Sequence, residues 1–496
     1  MFLNNVDNST SNLKFVRNVA LVLLFLLITR LVSMYFVPLN DSTEARYAEI
    51  ARIMLETGNW VTPMHHYGVP FWAKPPLSTW LSASSMKYLG VNELGARLPG
   101  LILSLGILWM VWRLAKRQSG PQVAMMSVLV LAGSIYFFLD AGTVMTDPSL
   151  LFCTTLTLIA FWRAITYQSR LWGYVFFSAL GLGLLAKGPI ALVLTGMPIF
   201  VWVLRHNRWM DLWRHLPWIL GGLLMLLIAL PWYLLAESKT PGFLNYFIVG
   251  EHIKRFLQPG WRGDKYGFAH MAPYGMIWVY ALIGIFPWSI PGGIWLARHL
   301  KSVRGLCQDD DGWVSYLLLC TLVPLVFFTF ARNIIYPYVF PSLPTFALLF
   351  AELAHRSQLS IKNQQKLVPY AAITGILFLG VTAVFVAQPE LIAKSQNRVV
   401  DVFKQQQPSV QSHLVYWLFK TDYSAEFYSA GRAKATLDAH DLCVLLSNRT
   451  SNYVVLDSEE NRKIPEDILA QLTEISVVPV MKKQFTIYRA DAIKCV

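Results

Sequence analysis

The chain has 496 residues, of which 55% are hydrophobic and only 14% charged, and it carries a net charge of +13. A mean hydropathy of +0.44 leaves too little polar surface to clothe a water-soluble globule of this size, so a soluble protein is excluded and a polytopic membrane protein indicated. The excess of Lys and Arg fits cytoplasmic loops and anionic lipid contact and is no argument for nucleic acid.

The first apolar run, residues 18–38, is long enough to cross a bilayer and ends without a small-residue cleavage site, so it is expected to remain as an anchor. Further runs follow at 98–114, 122–139, 149–166, 172–186, 188–204, 216–235, 274–296, 313–331, 334–351 and 367–387. They predict an all-α polytopic protein of about 11–13 transmembrane helices. The two runs flanking Lys187-Gly188-Pro189 are short and make the least certain pair of boundaries. With the N-terminus in the cytoplasm, the short inner loops hold Arg113, Lys116 and Arg117, then Arg163 and Arg170, then Arg205, Arg208 and Arg214, then Arg298, Lys301 and Arg304, then Arg356, Lys362 and Lys366. The short outer loops hold only Lys187 and Arg332, as the positive-inside bias requires.

Between the first two spans lies a charged, aromatic, proline-marked loop, residues 39–97, too long for a mere connection. DSTEARYAEIAR opens it as an outer-surface helix, in which Asp41 and Ser42 can cap and Ala48, Ile50, Ala51 and Met54 form an apolar side. Lys74-Pro75-Pro76 then fixes an extended approach to a following helix, where a lysine can hold a phosphate as a point charge or simply snorkel. Later, GEHIKRF sets Glu251, His252 and Arg255 within one helical turn, an arrangement more often a solvated helix face than a site. On this topology Asp41, Glu44, Arg46, Glu49, Lys74, Asp140, Asp147, Lys187, Glu251, His252, Lys254, Arg255, Arg332 and Tyr336 all fall on the outer side. Charges near hydrocarbon cost roughly 2.5–3.5 kcal/mol each, which argues for one outward-facing site.

From residue 388 to 496 the composition changes. HLVYWLF, CVLLS, NYVVLD and FTIYRA read as short strands and PEDILAQLTEI as a helix beginning near Pro465, together a small periplasmic α/β domain appended to a membrane module of residues 1–387. It has no Gly-rich phosphate loop and no acid/base cluster, so a structural or docking cap is the expected role. Cys153 and Cys320 lie in apolar spans as packing, whereas Cys443 and Cys495 share the tail, where a disulfide is an option. The sequons at Asn8 and Asn448 carry no weight without a eukaryotic secretory context.

The ordered set DSTEARYAEIAR, GNWVTP, PFWAKPPL, ARLPG, MTDPSL, LLAKGP, PGFLNYF, GEHIKRF and FPWS, over about residues 38–345, resembles the bacterial protein-mannosyltransferase-like branch of the GT-C glycosyltransferases, and within it the aminoarabinose transferases that modify lipid A. The resemblance implies an inverting transfer on the periplasmic face of the bacterial inner membrane. The donor would be a sugar on polyprenyl (undecaprenyl) phosphate and the acceptor an envelope glycolipid such as lipid A or lipopolysaccharide. Lys74 and Arg255 are the implied donor-phosphate cations and Tyr338, in YPYVFP, a further phosphate contact. Asp41, or Glu44 as second choice, is the implied catalytic acid residue orienting or deprotonating the acceptor, with Arg46, Tyr47, Asp147, Lys187 and Glu251 in support.

Two departures from the family pattern stand out. The family's adjacent Asp-Glu before Arg-Tyr is here Thr43-Glu44, with the aspartate displaced to Asp41. The family's metal-binding Glu before Lys-Pro-Pro is Ala73, which leaves His252 without its partner and a divalent metal open, with His65 and His66 as alternative ligands. A protein hydroxyl is a rival acceptor and would need Asp41 as a real base. A transporter would place charges at mid-bilayer and echo one half of the chain in the other, and neither pattern is present.

Overall fold

The computed structural model describes residues 2–491 and 493 apart from 259, 268–269, 307–310, 448–449 and 458–463. Every expected apolar run falls on helix. Helix α1 (Phe2–Phe36), α2 (Thr43–Thr57), α3 (Leu77–Leu89) and α4 (Glu93–Gln118) are followed by α5 (Pro121–Gly133), α6 (Ile135–Asp140), α7 (Asp147–Thr166), α8 (Arg170–Lys187), α9 (Ile190–His206), α10 (Trp209–His215) and α11 (Trp218–Lys239). After a π-helical segment, Asn245–Lys254, come α12 (Arg255–Leu257), α13 (Met276–Gly284), α14 (Ser289–Leu306), α15 (Trp313–Thr329), α16 (Leu343–Arg356) and α17 (Ile361–Ala387).

The chain is a multi-pass membrane protein, yet among the described residues only six helices, or seven if a bent pair counts as one span, are long and apolar enough to cross alone. The expected 11–13 spans also include apolar runs that are short, such as Pro121–Gly133, Ile190–His206 and Trp313–Thr329, or broken. Run 122–139 breaks at Ser134, which is extended between α5 and α6. Run 274–296 bends by 107° between α13 and α14. Run 334–351 begins as a 3-10 turn, Tyr336–Ser342, in which Pro337 and Pro341 lack the N–H a continuous helix would use. Lipid-facing helices are apolar outward: on α11, Leu223, Leu227 and Leu234 are exposed while Gly221, Ala229 and Trp232 face the protein.

Helix α2 forms as expected and stops at Gly58 in the left-handed conformation. Its buried side, Ala45, Ala48, Ile50, Ala51 and Met54, packs with Leu39, Phe71 and Phe427. Ser42 occupies the cap position without a side-chain cap bond, and Asp41, expected as a cap, is bonded elsewhere.

Beyond Ala387 the chain adds α18 (Pro389–Ile392), α19 (Asn397–Gln405), α20 (Tyr423–Tyr428), α21 (Ala439–Leu446) and α22 (Glu466–Leu469) around a sheet. With the two-residue ladder of the first loop counted as β1 (Met64–His66) and β2 (Val69–Pro70), the sheet strands are β3 (Leu414–Trp417), β4 (Ala433–Thr436), β5 (Ser451–Asp457), β6 (Leu472–Val480) and β7 (Lys483–Asp491). Their order is β4-β3-β5-β7-β6, parallel across β4, β3 and β5 and antiparallel across β5, β7 and β6. Three of the four predicted strands are present. CVLLS instead lies on α21, whose start Asp438 caps by accepting from the His440 and Asp441 amides. The helix expected from Pro465 lasts one turn, because Leu472–Val480 pairs along β7. Cys443 is disulfide-bonded, whereas Cys495 and Asn448 lie outside the described residues.

Candidate active site

A cavity of about 490 Å³ opens among α2, the Lys74 loop, the start of α7, the end of α8, the π-helical segment and the Tyr336–Ser342 turn. Of the expected site residues, Arg46, Tyr47, Lys74, Asp147, Lys187, Glu251, His252, Arg255 and Tyr338 all line it. Residues from six separate stretches of sequence therefore converge on one space. Gly188 makes part of this convergence possible: at φ +80° and ψ −154° it occupies a conformation essentially reserved for glycine, and a Cβ there would lie 2.5 Å from the Phe247 ring.

Glu251 is the hub. Its Oε2 accepts from Lys74 Nζ at 3.0 Å and from Arg255 Nη1 at 2.9 Å, and its Oε1 accepts from the Tyr246 hydroxyl at 3.2 Å. Burial alone would raise its pKa, but the two cations overcome that and hold it at about 2. Arg255 also faces Asp264 at 3.4 Å, and these carboxylates raise its own pKa despite burial. Deeper in the cavity wall, Lys187 Nζ donates to Asp147 Oδ1 at 2.6 Å and lies 5.4 Å from the centre of the Tyr338 ring. Among the described residues three carboxylates line the cavity and each faces a cation: Glu251 and Asp147 through hydrogen bonds, and Asp264 at 3.4 Å from Arg255 with its buried Oδ2 accepting no hydrogen bond.

The two residues expected as the catalytic acid stand outside this lining. Glu44 is clamped by Arg97, whose Nε and Nη2 donate to its two oxygens at 2.8 and 2.7 Å. Burial opposes its ionisation, yet Arg97 and Arg30 bring its pKa below the usual range. Asp41 accepts from the backbone amide of Ser424 at 3.1 Å and from the Ser424 hydroxyl. Burial, with Asp422 nearby, pushes its pKa up to about 7. It ties the first loop to α20. Thr43, which precedes Glu44, does line the cavity.

The donor set does not fit a metal ion. His252 turns Nδ1 toward the Phe247 carbonyl at 2.8 Å and Nε2 toward the Lys187 carbonyl at 3.2 Å, so neither nitrogen presents a lone pair to the cavity. The residue before Lys74 is Ala73, whose carbonyl accepts from Lys74 itself. Among the described residues no three His, Cys, Asp or Glu side chains cluster as ligands. His65 and His66 do not compensate: His65 Nε2 is hydrogen-bonded to the Tyr423 hydroxyl at 2.6 Å, and His66 meets Glu426 at 3.1 Å.

Asp264, Tyr266 and Tyr423 also line the cavity and were missed from sequence. Asp264 sits in WRGDKYG, a polar, glycine-marked stretch just after GEHIKRF that could have flagged it. Tyr423 had no local signal, since it arrives from α20 through contacts spanning more than half the chain.

Residues 14–247 match the family model of dolichyl-phosphate-mannose-protein mannosyltransferases. Over 344 residues the chain is 28% identical to the undecaprenyl phosphate-alpha-4-amino-4-deoxy-L-arabinose arabinosyl transferase of Edwardsiella ictaluri, covering 67% of this chain and 59% of that protein. It is 30% identical over 337 residues to arabinosyl transferase 1 of the same name from Pseudomonas fluorescens, covering 66% and 56%. The matches thus span less than two thirds of these relatives' length. The crystal structure of ArnT from Cupriavidus metallidurans bound to undecaprenyl phosphate superimposes with a TM-score of 0.76 at 18% identity, covering 95% of this chain and 97% of that one. The fold is that of ArnT.

Proposed function

We propose that this chain, whose fold is that of ArnT and whose motifs resemble those of the aminoarabinose-transferase branch of the GT-C glycosyltransferases, moves a sugar from undecaprenyl phosphate to a phosphate group of an envelope glycolipid such as lipid A. The reaction would take place at the periplasmic face of the inner membrane, a placement supported by the Lys and Arg bias of the loops. Residues 1–387 would supply the catalytic module and residues 388–496 a periplasmic cap.

The observation that carries this reading is the ion pairing of every carboxylate that lines the cavity. A protein hydroxyl must lose its proton during attack and needs a free base. A phosphate monoester is already ionised, and its oxygen can displace the leaving group directly. A cavity whose described lining carboxylates each face a cation, a neighbour that makes a carboxylate less basic, therefore favours a phosphate over a Ser or Thr acceptor. The departing undecaprenyl phosphate is itself a stable anion and needs cations more than an acid. Lys74, Arg255 and Tyr338 would hold that phosphate, while Glu251 keeps the two cations side by side. Lys187 and Asp147 would brace Tyr338 and the wall behind it. One in-line displacement forms the bond from acceptor oxygen to anomeric carbon, breaks the bond to the donor phosphate and inverts the anomeric centre. On this reading Asp41 and Glu44 hold the first loop in shape, and no step requires a metal.

The test is transfer by purified protein in liposomes, with aminoarabinose on undecaprenyl phosphate as donor and three acceptors offered: lipid A, dephosphorylated lipid A and a Ser/Thr-rich peptide. Transfer to phosphorylated lipid A alone is expected. Transfer to the peptide would establish the hydroxyl-acceptor reading instead.

A further inference from the structure

The cations of the cavity are not equally matched. Lys74 and Arg255 share Glu251, Arg255 reaches Asp264, and Lys187 holds Asp147. Among the described residues Arg46 has no carboxylate within ion-pairing distance. It donates from Nη1 to the Tyr266 carbonyl at 2.6 Å, and its guanidinium lies 5.4 and 5.8 Å from the ring centres of Tyr47 and Phe71. Its Nε is buried with no hydrogen-bond partner.

Beside Arg46 stands Tyr423 of α20; burial raises its pKa to about 12 despite the opposing Arg46 guanidinium close by, so its hydroxyl keeps its proton and can donate. That hydroxyl lies 2.6 Å from His65 Nε2. Burial, then His66 and Arg46, push the His65 pKa down to about 3, so His65 is neutral and adds no positive charge of its own. Helix α20 is fixed here by further contacts, among them Asp41 with Ser424, His66 with Glu426, and the Tyr428 hydroxyl donating to Glu93 at 2.7 Å.

We propose that Arg46 and Tyr423 form a second anion seat in the same cavity, one that takes a phosphate monoester of the acceptor while Lys74, Arg255 and Tyr338 take the donor phosphate. The inference rests on the transferase reading above and assigns its acceptor end. A guanidinium recognises phosphate through two parallel N–H donors, and Arg46 still has its Nε unused. The Tyr423 hydroxyl can turn from neutral His65 to a phosphate oxygen, which adds a donor without adding a charge. Formal charge agrees: Lys74 and Arg255 are balanced by Glu251 and Asp264, and Lys187 by Asp147, so the surplus positive charge of the lining sits at Arg46. The C-terminal module thereby contributes to acceptor choice through one side chain.

Binding to detergent-solubilised full-length protein separates the two seats. The probes are undecaprenyl phosphate, lipid A and dephosphorylated lipid A, and the proteins are wild type, Arg46→Gln, Arg46→Lys, Tyr423→Phe and Lys74→Gln, each checked for monodispersity. Loss of one charge-assisted pair is expected to weaken lipid A binding about tenfold or more in Arg46→Gln, with a smaller loss in Arg46→Lys and Tyr423→Phe. Undecaprenyl phosphate affinity should stay within about twofold in all three, and Lys74→Gln should show the reverse pattern. If Arg46→Gln weakens undecaprenyl phosphate instead, or if Tyr423→Phe and both Arg46 variants bind lipid A like wild type, the second seat is refuted while the donor seat stands. If wild type prefers lipid A no more than its dephosphorylated form, the acceptor assignment falls. Failure of wild type to bind undecaprenyl phosphate would instead overturn the transferase reading itself.

Discussion

Replacing Glu251 by Gln removes the negative charge that Lys74 and Arg255 share while keeping the side chain's shape. The Glu251 side chain is 2% exposed and those of Lys74 and Arg255 19% and 22%. Breaking a fully buried pair costs about 3–5 kcal/mol. The cations here retain some solvent and the amide oxygen still accepts one bond, so a loss of about 2 kcal/mol is expected. Binding should move the other way. A donor phosphate seated on these cations would stand roughly 6 Å from the carboxylate, where like charges repel by about 2–3 kcal/mol at an effective dielectric of 20. Solvent in the open cavity reduces this by about half, which leaves undecaprenyl phosphate binding roughly tenfold tighter in the variant. The assay pairs thermal unfolding of the solubilised protein with titration of undecaprenyl phosphate. A folded Glu251→Gln protein whose affinity is unchanged or lower would refute the claim that Lys74 and Arg255 are the phosphate cations and Glu251 their internal competitor.

Lys74→Gln leaves Glu251 paired with Arg255, so the protein should fold while undecaprenyl phosphate affinity falls about 10–100-fold; titration of the solubilised variant checks this. Asp41 has a folded pKa of about 7, above its ordinary value. Its contribution to stability is therefore fully present below about pH 4 and is lost at about 1 kcal/mol per pH unit as pH rises toward 7, with little further loss above the folded pKa. Thermal unfolding between about pH 5 and 7 should fall more steeply in wild type than in Asp41→Asn, and equal slopes would contradict the assignment. Gly188→Ala forces a side chain into a glycine-only conformation against Phe247, at an expected cost of about 2–4 kcal/mol. A lower unfolding temperature with transfer lost in proportion to folded protein is the expected readout.

Much of this architecture was legible because a bilayer restricts what a sequence can do. Apolar runs must be helical, and charges must gather where water is, so Lys74, Asp147, Lys187, Glu251 and Arg255 could be placed on one side before any geometry was known. The runs whose course was hardest to read are those that proline or an extended residue breaks, as at Ser134 and Pro337. Asp41 was harder to read. A carboxylate just ahead of a helix reads as a cap, and only the approach of Ser424, 383 residues later in the chain, turns it into a tie between the first loop and α20. Glu44 is withdrawn from the cavity by Arg97, a partner 53 residues away and invisible to local pattern. Tyr423 could not be found for the same reason. In the tail, CVLLS is as apolar as a strand, but Asp438 just before it starts a helix and Leu442 and Leu446 bury one side of that helix.

The most direct test of the central claim is the mass of lipid A from cells that lack this protein, carry it, or carry its Lys74→Gln or Asp41→Asn form. A sugar-sized increment on phosphorylated lipid A with wild type and Asp41→Asn, absent from Lys74→Gln and from cells without the protein, is the predicted result. An increment that survives in Lys74→Gln, or one that disappears in a folded Asp41→Asn protein, would contradict a cavity that works by gripping two phosphates without a catalytic base.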